Sequence, residues 1–138
     1  MKITLEFLTS LKRRVKQSEG FKAIPYQDTE GIWTFGHGFT RIEKDEADAV
    51  LQLKLAKIIN SDLLIFPKEI AHLNEKRILI LIEMIYQLGV GGVSNFKNFR
   101  KACIAEDWEK AADEMLDSRW HKQTPNRCER LAKEFREG

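Results

Sequence analysis

At 138 residues the chain has the length of one domain, long enough to bury a core, and it could fold as two lobes sharing a helix. Its 43% hydrophobic and 32% charged content is that of a soluble globular protein, and no apolar run approaches the roughly 20 residues needed to span a bilayer. The net charge of +2 gives no signature of a nucleic-acid binder, although basic residues crowd Lys12 to Lys16 and the last twenty positions, Arg119 to Arg136.

In the opening MKITLEFLTSLKRRVK, Glu6 interrupts the short apolar stretch and the basic cluster follows it instead of preceding it, so no cleavable signal peptide is expected. Leu5, Leu8, Leu11 and Val15 recur at helical spacing, and Gly20 stands where a helix stops, which predicts a helix ending near Glu19. From Phe21 to Thr40 that period vanishes. Pro25, Asp28, Gly31, Gly36 and Gly38 punctuate short aromatic or β-branched runs, the pattern of a small antiparallel hairpin or three-stranded sheet.

EKDEADAVLQLKLAKIIN, from Glu43, has acids in its first turn and lysines later. Val50, Leu51, Leu55, Ile58 and Ile59 fall on one face, so a long helix is expected. After Pro67, Asn74 can cap a helix whose apolar middle, ILILIEMIYQLG, is expected to be buried and to stop at Gly89. Glu83 and Gln87 lie one turn apart on one side of it. Gly91, Gly92 and Ser94 read as a loop, with Ser94 capping a helix through Ala105. Trp108, Ala111, Ala112 and Met115 form a further apolar stripe that makes Trp108 core. Thr124-Pro125 reads as a cap and a first-turn proline that open a last helix to about Arg136. Cys103 and Cys128 are too few and too far apart for a disulfide framework and read as reduced, buried thiols. His37, His72 and His121 lack metal-ligand spacing. The predicted class is α+β. A small β-hairpin lobe, about 20–58, lies beside a mostly helical lobe, 1–19 plus 59–138, the two joined by a long helix within a single domain.

The stretch SEGFKAIPYQDTEGIWTFGHGFT sets Glu19, Asp28 and Thr34 among glycines and aromatics. Asp-Thr-Glu-Gly is a turn sequence wherever it occurs, so one reading is a surface hairpin with incidental charges. The other is two carboxylates facing one another across a cleft. One, protonated, donates to a leaving oxygen; the other, ionised, activates water or attacks a sugar, as glycosidic hydrolysis requires. Thr34 could hold the water. The spacing of eight and five intervening residues does not decide between these readings.

The surrounding residues carry more. EGFKAIPYQDTEGIWTFG, KDEAD at the next helix start, SRWHKQTPNR and FREG together resemble the phage-type lysozymes (endolysins) of glycoside hydrolase family 24, on the T-even phage side of that family, over roughly residues 10 to 138. The resemblance implies a lysozyme-like fold and a muramidase that cleaves the β-1,4 bond between N-acetylmuramic acid and N-acetylglucosamine with inversion, without metal or organic cofactor. It implies Glu19 as general acid, Asp28 as the group that orients or activates water, and Thr34 as its helper. Asn126 and Arg127 then lie where the family arginine approaches the catalytic glutamate, Trp120 packs beneath that region, and Gln87 lines the cleft. Trp33 is a candidate for sugar contact.

The sequence also departs from the family. A histidine that commonly follows the second glycine of a Gly-x-Gly turn is here between the glycines, as Gly36-His37-Gly38-Phe39, and the connection from Thr40 to Lys44 is much shorter than in the T-even enzymes. Glu83 replaces an asparagine. It could pair with Arg127, whose charge would otherwise favour the ionised form of an acid that has to keep its proton. The expected partner is the peptidoglycan glycan strand, with no nucleic acid and no stable membrane insertion, and the protein itself is expected to be a monomer. The expected location is the host cytoplasm until a holin-type lesion or an injection device gives access to the wall. The alternative is a non-catalytic wall-binding or tail structural protein of the same fold, against which the intact Glu19, Asp28 and Thr34 set argues. Steep salt dependence of DNA binding would mark a nucleic-acid module instead.

Overall fold

The computed structural model describes residues 3–138. Its elements run in the order α1 (Leu5–Glu19), β1 (Lys22–Gln27), β2 (Trp33–Gly36), α2 (Lys44–Asn60), a 3-10 turn at Asp62–Ile65, α3 (Pro67–Ile70), α4 (Glu75–Ser94), α5 (Lys97–Ile104), α6 (Trp108–Leu116), α7 (Arg119–Gln123) and α8 (Pro125–Glu137). A helical majority with one small antiparallel hairpin is the α+β, lysozyme-like class expected from the sequence. The chain divides into two compact units, Met1–Ala49 and Val50–Gly138, and α1 groups with the hairpin.

In the first unit, the Thr4 hydroxyl accepts from the Phe7 amide at 3.1 Å and starts α1. Gly20 ends the helix, its amide reaching the Lys16 carbonyl at 2.8 Å. The hairpin has two strands. Gln27 pairs with Trp33 and Tyr26 with Thr34, but Lys22 pairs with Gly36, so β1 holds extra residues around Ile24-Pro25 and the register shifts between Lys22 and Tyr26. Proline, which has no N–H to offer the ladder, fits that irregular stretch. Beyond β2 the chain turns back on itself. Phe35 and Phe39 exchange both backbone hydrogen bonds, at 2.9 and 2.8 Å, around Gly36-His37-Gly38.

The second unit holds the apolar core. Phe66, Leu81, Met84, Ile85, Phe99, Met115, Leu131 and Phe135 are fully buried there, and Phe135 lies against the rings of Phe99 at 5.3 Å and Trp108 at 6.0 Å. Asn74 caps α4 through its side chain, accepting from the Arg77 amide at 2.9 Å. Arg77 is itself buried. Its Nε donates to the Phe135 carbonyl at 2.8 Å and its Nη2 to the Arg136 carbonyl at 3.2 Å, while its guanidinium lies 4.0 Å over the Trp108 ring. The cation thus satisfies carbonyls in the last turn of α8, where the helix dipole favours positive charge, and burial lowers its pKa. Cys103 and Cys128 are buried and unpaired with each other; burial pushes the first thiol up to about 12 and the second up to about 11.

Several local expectations need correcting. The first helical segment of α4 stops at Gly89 as expected (φ 77°, ψ 159°), but a second segment follows it at once and runs to Ser94, so Gly91 and Gly92 are helical and form no loop. The Ser94 hydroxyl therefore donates back to the Val90 carbonyl at 2.7 Å, and Phe96 stands at the start of α5. Apolar Val90 and Val93 make the resumed turn worthwhile, since Val93 is fully buried and Val90 packs against the core. The face expected on α2 is buried only at Ile58, with Leu55 partly covered, while Val50, Leu51 and Ile59 stay exposed. Thr124 precedes α8 as predicted but makes no side-chain cap. By length and composition α4 could cross a membrane, with a mean hydropathy of 1.4 over its apolar window. Ile80, Leu81, Met84, Ile85 and Val93 instead belong to the core of the second unit.

Candidate active site

The sequence-predicted residues form two groups, one in each unit. Glu19, Asp28, Trp33 and Thr34 belong to the first. Glu19 is the last residue of α1, exposed, and its carboxylate lies directly over Gly38. A Cβ added at Gly38 would meet Glu19 Oε2 and stand 2.7 Å from its Cδ. Gly38 also takes a positive φ of 78°, so glycine answers both the backbone conformation and the close approach. The neighbouring Gly36 is equally confined, with Phe39 Cδ2 2.6 Å from where its Cβ would lie.

Asp28 opens the hairpin turn and organises it. Its Oδ1 accepts from the amides of Glu30 at 2.8 Å and Ile32 at 2.9 Å, while its own amide donates to the Ile32 carbonyl at 2.9 Å. Oδ2 accepts no hydrogen bond among the described residues. One oxygen therefore fixes the carboxylate and the other remains open to a ligand. Thr34 is nearly buried, at 7% exposure, and its hydroxyl donates to the Ile32 carbonyl at 3.1 Å, leaving lone pairs that can accept from a water or a sugar hydroxyl. Trp33 points its indole to solvent, 61% exposed, and can stack on an apolar sugar face.

The second group is a hydrogen-bonded bracket. The Gln87 side chain accepts from Trp120 Nε1 at 3.0 Å and donates to the Thr124 hydroxyl at 3.0 Å. Both ends of its amide are thus engaged within the unit. Trp120 is buried, at 2% exposure, so its indole supports the bracket and is closed to sugar stacking. Arg127 donates to Glu83 Oε1 from Nε at 3.1 Å and from Nη2 at 2.9 Å, and Arg130 approaches the same oxygen at 3.7 Å. The Arg127 charge is therefore paired, half-exposed, with Glu83. Asn126 is exposed and makes no side-chain hydrogen bond among the described residues.

Reading the sequence missed two participants. Thr124 was visible only as a helix start, whereas its hydroxyl closes the Gln87 bracket. His37 hydrogen-bonds the Gly20 carbonyl through Nδ1 at 2.7 Å; its placement between two glycines was the available signal. Among the described residues no group of three or more His, Cys, Asp or Glu side chains gathers to hold a metal ion.

A helical unit with a compact core and a unit in which a two-stranded antiparallel hairpin follows a helix make this an α+β protein of the lysozyme-like class. Comparison with known proteins narrows it. The phage lysozyme family model matches residues 16–134, and the chain belongs to that family. It is 34% identical over 157 residues to "Probable T4-type lysozyme 1" of Dictyostelium discoideum, covering 90% of this chain and 92% of that protein. It is 28% identical over 163 residues to "Probable T4-type lysozyme 2" of the same organism, covering 95% and 96%. A 58-residue stretch is 43% identical to the pre-baseplate central spike protein Gp5 of Enterobacteria phage T4, covering 42% of this chain and 10% of that one. At the level of the family, this is a T4-type lysozyme, a glycosidase of the muramidase kind.

Proposed function

We propose that the chain hydrolyses the β-1,4 bond between N-acetylmuramic acid and N-acetylglucosamine in peptidoglycan glycan strands. Glu19 protonates the leaving oxygen, Asp28 draws a proton from or orients the attacking water, and Thr34 holds that water. The observation that carries this reading is the state of Asp28. A carboxylate tied down through one oxygen by two backbone amides, with its other oxygen unclaimed, is preorganised to take a water. The Thr34 hydroxyl, spent as a donor on Ile32, presents an acceptor to the same kind of ligand. Glu19 suits the acid role because nothing among the described residues forms an ion pair with it. The bacteriolytic outcome follows from cutting the wall polymer.

The test is digestion of purified peptidoglycan with the wild-type protein and with Glu19→Gln, following clearing and identifying new reducing ends by mass spectrometry. The wild type is expected to release muramic-acid reducing ends, and the folded variant to be slower by about 10²- to 10⁴-fold, the usual worth of a general acid. Glucosamine reducing ends, or an equally fast Glu19→Gln, would overturn the assignment. Sedimentation with the wall without cutting would favour a binding protein of this fold.

A further inference from the structure

An exposed glutamate at the end of a helix has several rotamers open to it, and an acid catalyst works only from the one aimed at its target. Nothing in the sequence of α1 restrains Glu19, and among the described residues its carboxylate has no ion-pair or hydrogen-bond partner. What adjoins it is the turn after β2. The register of the hairpin brings that turn there: with Lys22 opposite Gly36, continuing the pairing past β1 carries Phe21 and Gly20 alongside His37 and Gly38. The register of Tyr26 with Thr34 would not do so, and the irregularity around Ile24-Pro25 supplies the difference.

The contacts follow that alignment. His37 Nδ1 meets the Gly20 carbonyl at 2.7 Å. A carbonyl oxygen only accepts, so Nδ1 must carry a proton and donate. The ring is held between Phe21, centroids 5.3 Å apart, and Phe39, 6.3 Å apart and edge-on. One residue further, the bare Cα of Gly38 lies against the Glu19 carboxylate. The two bonds between Phe35 and Phe39 fix the turn that carries both residues.

We propose that His37 is a positioning residue for Glu19: its Nδ1–H, held on the Gly20 carbonyl, docks the hairpin turn onto the end of α1 so that Gly38 seats the glutamate carboxylate. The proposal rests on the reading of Glu19 as the acid. It gives the histidine between the two glycines a purpose that needs no carboxylate partner. The bond is available to any form of the ring that carries its proton on Nδ1.

Three measurements test this. Nitrogen-15 NMR of the imidazole in the full-length protein, above the titration of the ring, is expected to find the proton on Nδ1; a neutral ring protonated on Nε2 would overturn the proposal whatever the enzyme does. His37→Phe keeps a ring between Phe21 and Phe39 but cannot donate, and is expected to lower kcat about tenfold with KM unchanged. His37→Asn places an amide donor near the position of Nδ1 and is expected to recover at least half of the wild-type kcat. If both variants match the wild type, or both lose activity equally, the hydrogen bond is not what positions the glutamate. Glu19→Gln, assayed alongside, separates the two readings. An active Glu19→Gln removes the assignment of the acid and leaves the NMR result standing, whereas an inactive one beside a fully active His37→Phe removes only the clamp.

Discussion

The two units of this protein are held together by different physics. Val50–Gly138 is organised around buried side chains, with Phe66, Leu81, Met84, Met115, Leu131 and Phe135 fully enclosed and α5, α6 and α8 packed around them. In Met1–Ala49, α1 buries no residue, β1 is exposed throughout, and Thr34 is the one buried residue among those described. Its shape is maintained by directed polar contacts: the Asp28 turn, the Phe35–Phe39 bridge and the link from His37 to Gly20. Burial confers stability without aiming any particular atom. Hydrogen bonds contribute less net free energy but fix direction, which is what a pair of carboxylates needs.

The contrast is most exposed to refutation at Phe135. Replacing this fully buried ring by alanine is expected to cost about 3–5 kcal/mol in denaturant unfolding, through lost burial and the cavity left beside Phe99 and Trp108. A cost below about 1 kcal/mol would mean that the core is not where the stability lies.

Smaller per unit of pH is the response to alkali. A thiol ordinarily titrates near 9.0, whereas Cys103 and Cys128 in the folded chain are pushed up to about 12 and about 11. Above pH 9 the unfolded chain has therefore released protons that the folded chain retains. The contribution is intact below that pH and is lost as pH rises towards 11–12, at up to about 1.4 kcal/mol per pH unit for each thiol. Replacing both by alanine is expected to flatten the fall of stability over this range, and an unchanged slope would contradict the burial assigned to them. The smallest effect is predicted in the first unit. Ile24→Ala, at a side chain 78% exposed, is expected to shift unfolding by no more than about 0.5 kcal/mol. A larger cost would reveal apolar packing where polar contacts are held responsible.

Much of the local architecture was legible because it depends on near neighbours. Gly20 ends α1, Asn74 caps α4 through Arg77, acids open α2, and Pro125 starts α8, each within a few positions of the residue that signals it. The Asp28 turn is of the same kind: Asp-Thr-Glu-Gly calls for an aspartate that accepts from amides two and four positions on, and it does. Gly91, Gly92 and Ser94 misled for the converse reason. Two glycines before a serine locally favour a loop, but the burial of Val93 returns more than a helical turn through glycine costs.

From sequence alone came the α+β class, the identity of the family and the motif that sets Glu19, Asp28 and Thr34 in order, because composition, periodicity and short motifs are properties of a few adjacent residues. The tertiary structure alone decided which groups are spoken for. Gln87 is spent on Trp120 and Thr124, 33 and 37 positions away, Arg127 is paired with Glu83 across 44, and His37 reaches Gly20 across 17. A side chain within a motif has the same chemistry wherever it stands. Whether that chemistry is free or already used depends on partners that only the packed chain brings within hydrogen-bonding distance.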